Sequence, residues 1–180
     1  MEQKVKIYSH VIIGQSEINP KPNIDGVYVA DLKIFTDERG SVMKMIEDTE
    51  KTYLYGGGIS RRVEEIYFST VNPGVVKAWH GHKKMTLNYA CVLGEVMIGL
   101  CDLRVGKTFG NTMRIHLDTI DNYKLLTVPP GVWNGYRSMN DKPAMIANAA
   151  SLVYSDDDIE RIHPRDLPIF FDWGPYEVAG

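Results

Sequence analysis

The sequence predicts a single all-β domain built as a sandwich or barrel. Three observations support this: strand-length apolar runs follow one another at short intervals, turn residues separate them, and no long amphipathic helix precedes the C-terminal region. The chain has 180 residues, of which 44% are hydrophobic and 24% charged, which is typical of one globular domain spanning residues 1–180.

Strand-like runs and turns alternate along most of the chain. The runs lie at residues 27–29, 41–46, 66–70, 75–82, 87–92, 96–103, 113–117, 123–128 and 144–154. The Leu-Gly-Glu sequence at 93–95 predicts a tight hairpin turn between two of them. Because the run 96–103 is almost wholly apolar, we expect both of its faces to be buried.

The two ends of the chain differ from this pattern. Residues 1–23, interrupted by Pro20 and Pro22, predict an N-terminal arm. Three consecutive aspartates at 156–158 are favourable at the start of a helix, so residues 156–162 are predicted to form a short helical segment.

Composition also bounds the function. The formal net charge of −3 lacks the basic excess of a nucleic-acid-binding protein, so a phosphate group must be bound by a few local cations. The apolar run at 11–13 is too short for a signal-peptide core or a membrane span. Cys91 and Cys101 lie in apolar runs and are interpreted as small hydrophobic residues in a reducing compartment. We therefore expect a cytoplasmic protein with no membrane or nucleic-acid partner.

The densest polar cluster contains His80 and His82, separated by one glycine. Alternate side chains of a strand share a face, so both imidazoles are expected to point the same way. The pair can bind a metal, supply a general base, or lie on the surface. The flanking apolar strands favour a lined cavity over an open surface.

The metal-binding interpretation of the two histidines can be tested by counting the available ligands. Cupin barrels that bind metal carry spaced glycines, histidines and a glutamate, and part of that set occurs here: Gly74, His80, His82, Gly94 and residues 129–131. The glutamate position is Leu87, however, and the last histidine position is Asn134. Two imidazoles and an amide are too few for a transition metal, so no metal and no cofactor are predicted.

Acid–base chemistry is the other use of these histidines. An imidazole titrates near neutrality and abstracts a proton best when a carboxylate fixes its tautomer. Asp166 is a candidate for that carboxylate, although spacing alone does not select it.

Five motifs in order resemble the dTDP-4-dehydrorhamnose 3,5-epimerase family, with the match running from Phe35 to Trp173. They lie at residues 35–40, 74–80, 94–96, 102–110 and 130–136. The resemblance implies a cupin-type β-barrel (a jelly roll), a homodimer, and an isomerase of deoxysugar and polysaccharide biosynthesis. The implied substrate is a nucleotide-diphospho-4-keto-6-deoxysugar, epimerised at C3, C5 or both.

The resemblance also assigns roles to residues. His80 is implied as the catalytic base and Asp166 as its dyad partner, while Arg39 and Lys77 are implied to meet the diphosphate. Strict alternation places Lys77 on the face opposite His80, so a bend or β-bulge is expected between them.

This chain departs from the family at several positions. The family's acid tyrosine is Asn148 here, its active-site lysine falls at Leu87, and its second histidine falls at Asn134. An enolate formed by His80 therefore needs other hydrogen-bond donors. The candidate substrate-binding residues are Arg39, Glu65, Tyr67, Lys77, Lys84, Asn134, Tyr136 and Asn148. A single-centre epimerase, or one that uses another nucleotide, stays open.

Two alternatives remain beside the epimerase. The sequences at 80–84 and 128–133 resemble the His-x-His-Lys and Val-Pro-Pro-x-x-Trp motifs of nucleotide-sugar 3,4-ketoisomerases, which are also cupins. In those enzymes both histidines are expected to move protons, which makes His82 a catalytic candidate. The substitutions at the family's acid positions also leave open a non-catalytic sugar-binding cupin.

Overall fold

The computed structural model of the chain describes residues 23–46 and 63–178. The predicted N-terminal arm, apart from Asn23, lies outside the described residues. Within them the regular elements are strands, in chain order: β1 Tyr28–Asp31, β2 Lys33–Asp37, β3 Gly40–Lys44, β4 Glu65–Val71, β5 Val75–His82, β6 Leu87–Leu93, β7 Glu95–Asp102, β8 Thr112–Asp118, β9 Lys124–Val128, β10 Val132–Ser138, β11 Ala144–Ala150, β12 Ile159–Arg161 and β13 Glu177–Val178.

The strands form two main sheets and one separate hairpin. The five-stranded sheet has the order β1-β9-β6-β11-β4, and the six-stranded sheet has the order β12-β5-β10-β7-β8 with β13 also paired to β5. Strands β2 and β3 pair only with each other. This jelly-roll arrangement confirms the prediction of an all-β cupin-type barrel. No helix long and apolar enough to cross a bilayer occurs in the described ranges.

Strand β7 shows how the apolar runs build the core. Ile98 and Leu100 point into the cluster between the two sheets, whereas Met97 and Cys101 point into a second cluster around Trp173. Both faces of the strand are therefore buried, as its continuous apolar sequence predicts. Between them lies Gly99, where a Cβ atom would come within 2.5 Å of the Trp173 ring, so no larger residue fits.

The predicted helix at 156–162 is wrong. Residues 156–158 form a turn, and Ile159–Arg161 form β12, which pairs antiparallel with β5. The register joins Ile159 to His82 and Arg161 to His80. The unpaired edge of β5 offers hydrogen bonds that local sequence signals do not reveal, and this tertiary pairing outweighs the helix-start aspartates.

The family-like motif at 102–110 has a structural role. The carboxylate of Asp102 is almost fully buried and accepts hydrogen bonds from Arg104 Nε at 2.9 Å and Thr108 Oγ1 at 2.6 Å. Arg104 Nη2 also donates to the carbonyl of Asp25 at 2.6 Å. The motif thus holds the segment before β1 against the β7–β8 connection.

Candidate active site

A cavity of about 690 Å³ opens between the two sheets. Its walls are the edge strand β4, strands β5 and β10, and the segment that runs from Tyr154 to Pro164. On β4 the side chains alternate: Glu65, Tyr67 and Ser69 face the cavity, whereas Ile66 and Phe68 are each 63% exposed on the outer face.

The predicted bulge in β5 is confirmed. Asn134 of β10 lies opposite His80, but Tyr136 lies opposite Lys77, so three residues of β5 span the distance that two residues of β10 cover. This irregularity brings Lys77 and His80 to the same cavity, although strict alternation would separate them.

His80 is held by uncharged groups. Its Nε2 lies 3.3 Å from the Tyr89 hydroxyl, which donates to Asn134 Oδ1 at 3.1 Å, and Asn134 Nδ2 donates to the His80 carbonyl at 3.0 Å. Because the Tyr89 hydrogen is used on Asn134, the Tyr89 oxygen accepts from His80 Nε2–H. Burial first, and then the positive charges of His82, Arg161 and Lys77, lower the pKa of His80 to about 3, so its imidazole is neutral at neutral pH.

His82 is held by a carboxylate. Its Nδ1 lies 2.9 Å from Asp158 Oδ2, and both side chains are buried. Asp158 also accepts the backbone amides of Lys84 at 2.7 Å and Met85 at 3.4 Å. Burial alone would raise the pKa of Asp158, but the hydrogen bonds from His82 and the amides outweigh it and hold this pKa below its ordinary value.

A third polar group faces the same cavity from β4, β5 and β10. The hydroxyl of Ser69 accepts from Lys77 Nζ at 2.9 Å and from the Tyr136 hydroxyl at 2.6 Å. Lys77 Nζ also donates to the carbonyl of Thr70 at 3.2 Å and lies 5.6 Å from the centre of the Tyr136 ring. Burial lowers the pKa of Lys77 and raises that of Tyr136.

Asp166 makes no ion pair with His80 among the described residues, so the pairing implied by the family resemblance is not formed there. Residues 164–166 make a turn in which Asp166 is exposed, and its backbone amide donates to the His163 carbonyl at 2.9 Å. The turn directs Leu167, its apolar neighbour, to the protein interior. Within the described residues no hydrogen bond joins the Asp166 carboxylate to His80.

The other predicted residues divide into two groups. His80, His82, Lys77, Glu65, Tyr67 and Tyr136 line the cavity. Arg39 lies on the β2–β3 hairpin, where its Nε donates to Asp37 at 3.1 Å, and the side chain is 81% exposed. Lys84 is exposed and lies outside the cavity wall, where its backbone amide binds Asp158.

Asn134 and Asn148 are wholly buried behind the cavity wall. The Asn134 amide is engaged by Tyr89 and the His80 carbonyl, and Asn148 Oδ1 accepts the Asn88 amide at 2.8 Å. The sequence predicted that both residues contact the substrate. The structure places them behind the wall, where they support the neighbouring residues instead. Among the described residues no group of three or more His, Cys, Asp or Glu side chains is arranged to hold a metal ion; the absence of a metal stays a prediction.

Sequence reasoning missed Ser69, Tyr89 and Asp158. Ser69 follows Glu65 and Tyr67 at a period of two, so alternation along β4 could have found it. Asp158 is 76 residues from His82 in sequence, and no local pattern joins the two.

Comparisons with known proteins agree with this fold. The family described as dTDP-4-dehydrorhamnose 3,5-epimerase matches residues 21–179. A spore coat polysaccharide biosynthesis protein of Bacillus subtilis is 34% identical over 153 residues, covering 83% of this chain and 96% of that protein. A probable low-salt glycan biosynthesis epimerase of Haloferax volcanii is 28% identical over 162 residues, covering 88% and 99%.

Among solved structures, the dTDP sugar isomerase of Desulfovibrio desulfuricans superposes with a TM-score of 0.75. It is 33% identical, and the match covers 84% of this chain and 92% of that one. The match of nearly the whole chain confirms the resemblance seen in the sequence motifs. The chain belongs to the dTDP-4-dehydrorhamnose 3,5-epimerase family and is an isomerase of the epimerase type.

Proposed function

We propose that this protein inverts a carbon next to the C4 ketone of a nucleotide-diphospho-4-keto-6-deoxysugar, at C3, C5 or both. The observation that carries the proposal is His80, a neutral imidazole in the wall of a cavity that Glu65, Lys77 and Arg161 also line. The relatives named for glycan and spore coat polysaccharide biosynthesis support a role in making deoxysugars for polysaccharides. A homodimer, which rests on the family resemblance, and a cytoplasmic location, which rests on the sequence composition, belong to the proposal.

The chemistry begins with proton abstraction. The ketone acidifies the hydrogens on C3 and C5, and His80 in its neutral form accepts one of them while the electron pair moves onto the ketone oxygen. Return of a proton to the opposite face of the carbon gives the epimer. Arg161 lies close enough to influence His80 and is a cation available to the diphosphate, as is Arg39 if its hairpin reaches the bound nucleotide.

Solvent exchange tests the proposal. The protein is incubated in heavy water with dTDP-4-keto-6-deoxyglucose and with its CDP and GDP counterparts, and deuterium at C3 and C5 is read by NMR. We expect incorporation into at least one substrate, and a loss of about 10²-fold or more in His80→Asn, because a positioned base contributes 10²–10⁴-fold.

His116→Asn is the matched control, since His116 lies on β8, away from the cavity, and pairs with Glu95. Its exchange rate should equal that of the wild type. No deuterium at either carbon in any of the three substrates would contradict the proposed function.

One observation favours 3,4-ketoisomerisation as a second candidate. His82 also faces the cavity and has a carboxylate partner, whereas His80 has none among the described residues. This reaction would move the ketone from C4 to C3, visible in the same NMR spectra, and His82→Asn would then reduce turnover as much as His80→Asn. If only the His80 change reduces turnover, the ketoisomerase reading fails.

A further inference from the structure

The hydroxyl of Ser69 lies between an ammonium group and a phenol at the cavity wall. The ammonium group of Lys77 can donate hydrogen bonds but cannot accept them, so Lys77 Nζ donates to Ser69 Oγ over 2.9 Å. The Tyr136 hydroxyl donates to the same oxygen over 2.6 Å. Both lone pairs of Ser69 are therefore filled, and its own hydrogen remains available to an acceptor in the cavity.

We propose that Ser69 is a catalytic residue whose hydroxyl donates to the ketone oxygen as that oxygen becomes an enolate, and that Lys77 and Tyr136 position and polarise it. The inference deepens the proposed function, since it names the group that stabilises the intermediate formed by His80. It also gives Lys77 a role other than direct binding of the diphosphate.

The placement of the three residues suits this role. Ser69 on β4 lines the same cavity as His80, and the β5 bulge brings Lys77 to that cavity as well. The charge of Lys77 is close enough to lower the proton affinity of His80, so base and donor share one electrostatic environment. An O–H group next to a fixed cation is a stronger donor than one in water, and it needs no reorganisation when charge develops.

The other donors considered for the enolate are already engaged or lie elsewhere. Asn134 and Tyr89 bind each other and His80 behind the wall, and Lys84 lies outside the cavity. Ser69 is therefore a donor that the described residues leave open at the cavity wall, next to a fixed cation.

The protons and electrons of the reaction balance within the site. His80 takes the carbon-bound proton, the electron pair moves to the ketone oxygen, and Ser69 stabilises that oxygen by a hydrogen bond without transferring its proton. When a proton returns to carbon, the electron pair moves back and the ketone re-forms.

The test compares Ser69→Ala with Ser69→Thr in the heavy-water assay. We expect Ser69→Ala to lower kcat for exchange and for epimerisation in parallel by about 10²-fold with little change in KM, because one oxyanion donor is worth 10²–10³-fold. Ser69→Thr keeps a hydroxyl and should restore most of the rate. Thr112→Ala, on β8 and away from the cavity, is the matched control and should match the wild type.

Tyr136→Phe and Lys77→Met test the positioning roles. Each should lower kcat in the wild-type background, yet have little further effect in Ser69→Ala, because groups that act as a unit are not additive. Tyr123→Phe controls for loss of a buried phenol, since the Tyr123 hydroxyl has no hydrogen-bond partner in the described part of the chain.

Four outcomes overturn the inference. These are a Ser69→Ala exchange rate within threefold of the wild type, a change in KM alone, exchange that persists while inversion stops, and fully additive double variants. Failure of the proposed function looks different: the wild type itself then incorporates no deuterium. If the wild type exchanges and depends on His80 but not on Ser69, only the inference falls.

Discussion

His80 and His82 lie two residues apart on β5 and face the same cavity, with ring centres 6.0 Å apart. Their settings are opposite in kind. His80 is held by a phenol and an amide, which carry no charge, whereas His82 is held by the buried carboxylate of Asp158. The first arrangement keeps a ring neutral and free to accept a proton, and the second anchors a ring and the loop behind it.

Under the proposed function the base is the histidine without a carboxylate partner, so a carboxylate next to a histidine does not by itself mark the base. Asp158 binds His82 and two backbone amides at once, so much of its effect is structural. A site with two histidines can therefore divide positioning and proton transfer between them.

The largest expected effect comes from removing the Asp158 carboxylate that holds His82. Asp158→Ala leaves His82 and the amides of Lys84 and Met85 without their acceptor, and losing one partner of a buried pair destabilises by about 3 kcal/mol. Urea unfolding at a fixed protein concentration measures this. Asp157→Ala, in the same turn but exposed, is the control and should unfold at the wild-type midpoint. Equal midpoints for both variants would show that the pair has no structural role.

A smaller effect is expected from a change of pH, and measuring it tests whether His80 is neutral. Because burial lowers the pKa of His80 to about 3, the basic form of His80 predominates at every pH above that value. Between pH 8 and pH 5, kcat/KM for exchange should therefore show no loss from protonation of the base. An unperturbed histidine would lose about 30-fold over that range. An acid limb near pH 6 would assign the titrating base to another group.

The smallest effect is expected at Asp166. Its carboxylate is exposed and has no bond to His80, so Asp166→Asn should keep the exchange rate within about twofold of the wild type. A loss comparable to that of His80→Asn would show that Asp166 is the partner of His80. It would contradict the conclusion that His80 is held by uncharged groups.

Local pattern was sufficient for most of the fold. Period-two alternation and turn residues predicted a sandwich or barrel, and the resemblance, which implies that Lys77 and His80 both meet the substrate, predicted the bulge. Strand β12 could not be predicted, because its pairing partner lies about 80 residues earlier and its own sequence favours a helix start.

The site was harder to predict than the fold for the same reason. The residues of β5 were found because they share one short motif, but their partners come from other strands. Tyr89, Ser69 and Asp158 each meet β5 only through the tertiary structure. The family resemblance implied a carboxylate partner for His80 at Asp166, but among the described residues the carboxylate bond is between Asp158 and His82, and His80 contacts the Tyr89 phenol.

Strand β5 has a consequence for how the protein is made. One of its edges is paired by β10, and among the described strands the other is paired by the short strands β12 and β13, which come much later in the chain. A nascent chain on the ribosome thus exposes the backbone of its two-histidine strand until residues 159–178 have emerged. Stalled or truncated synthesis products would carry that open edge, and so would be prone to pair with one another.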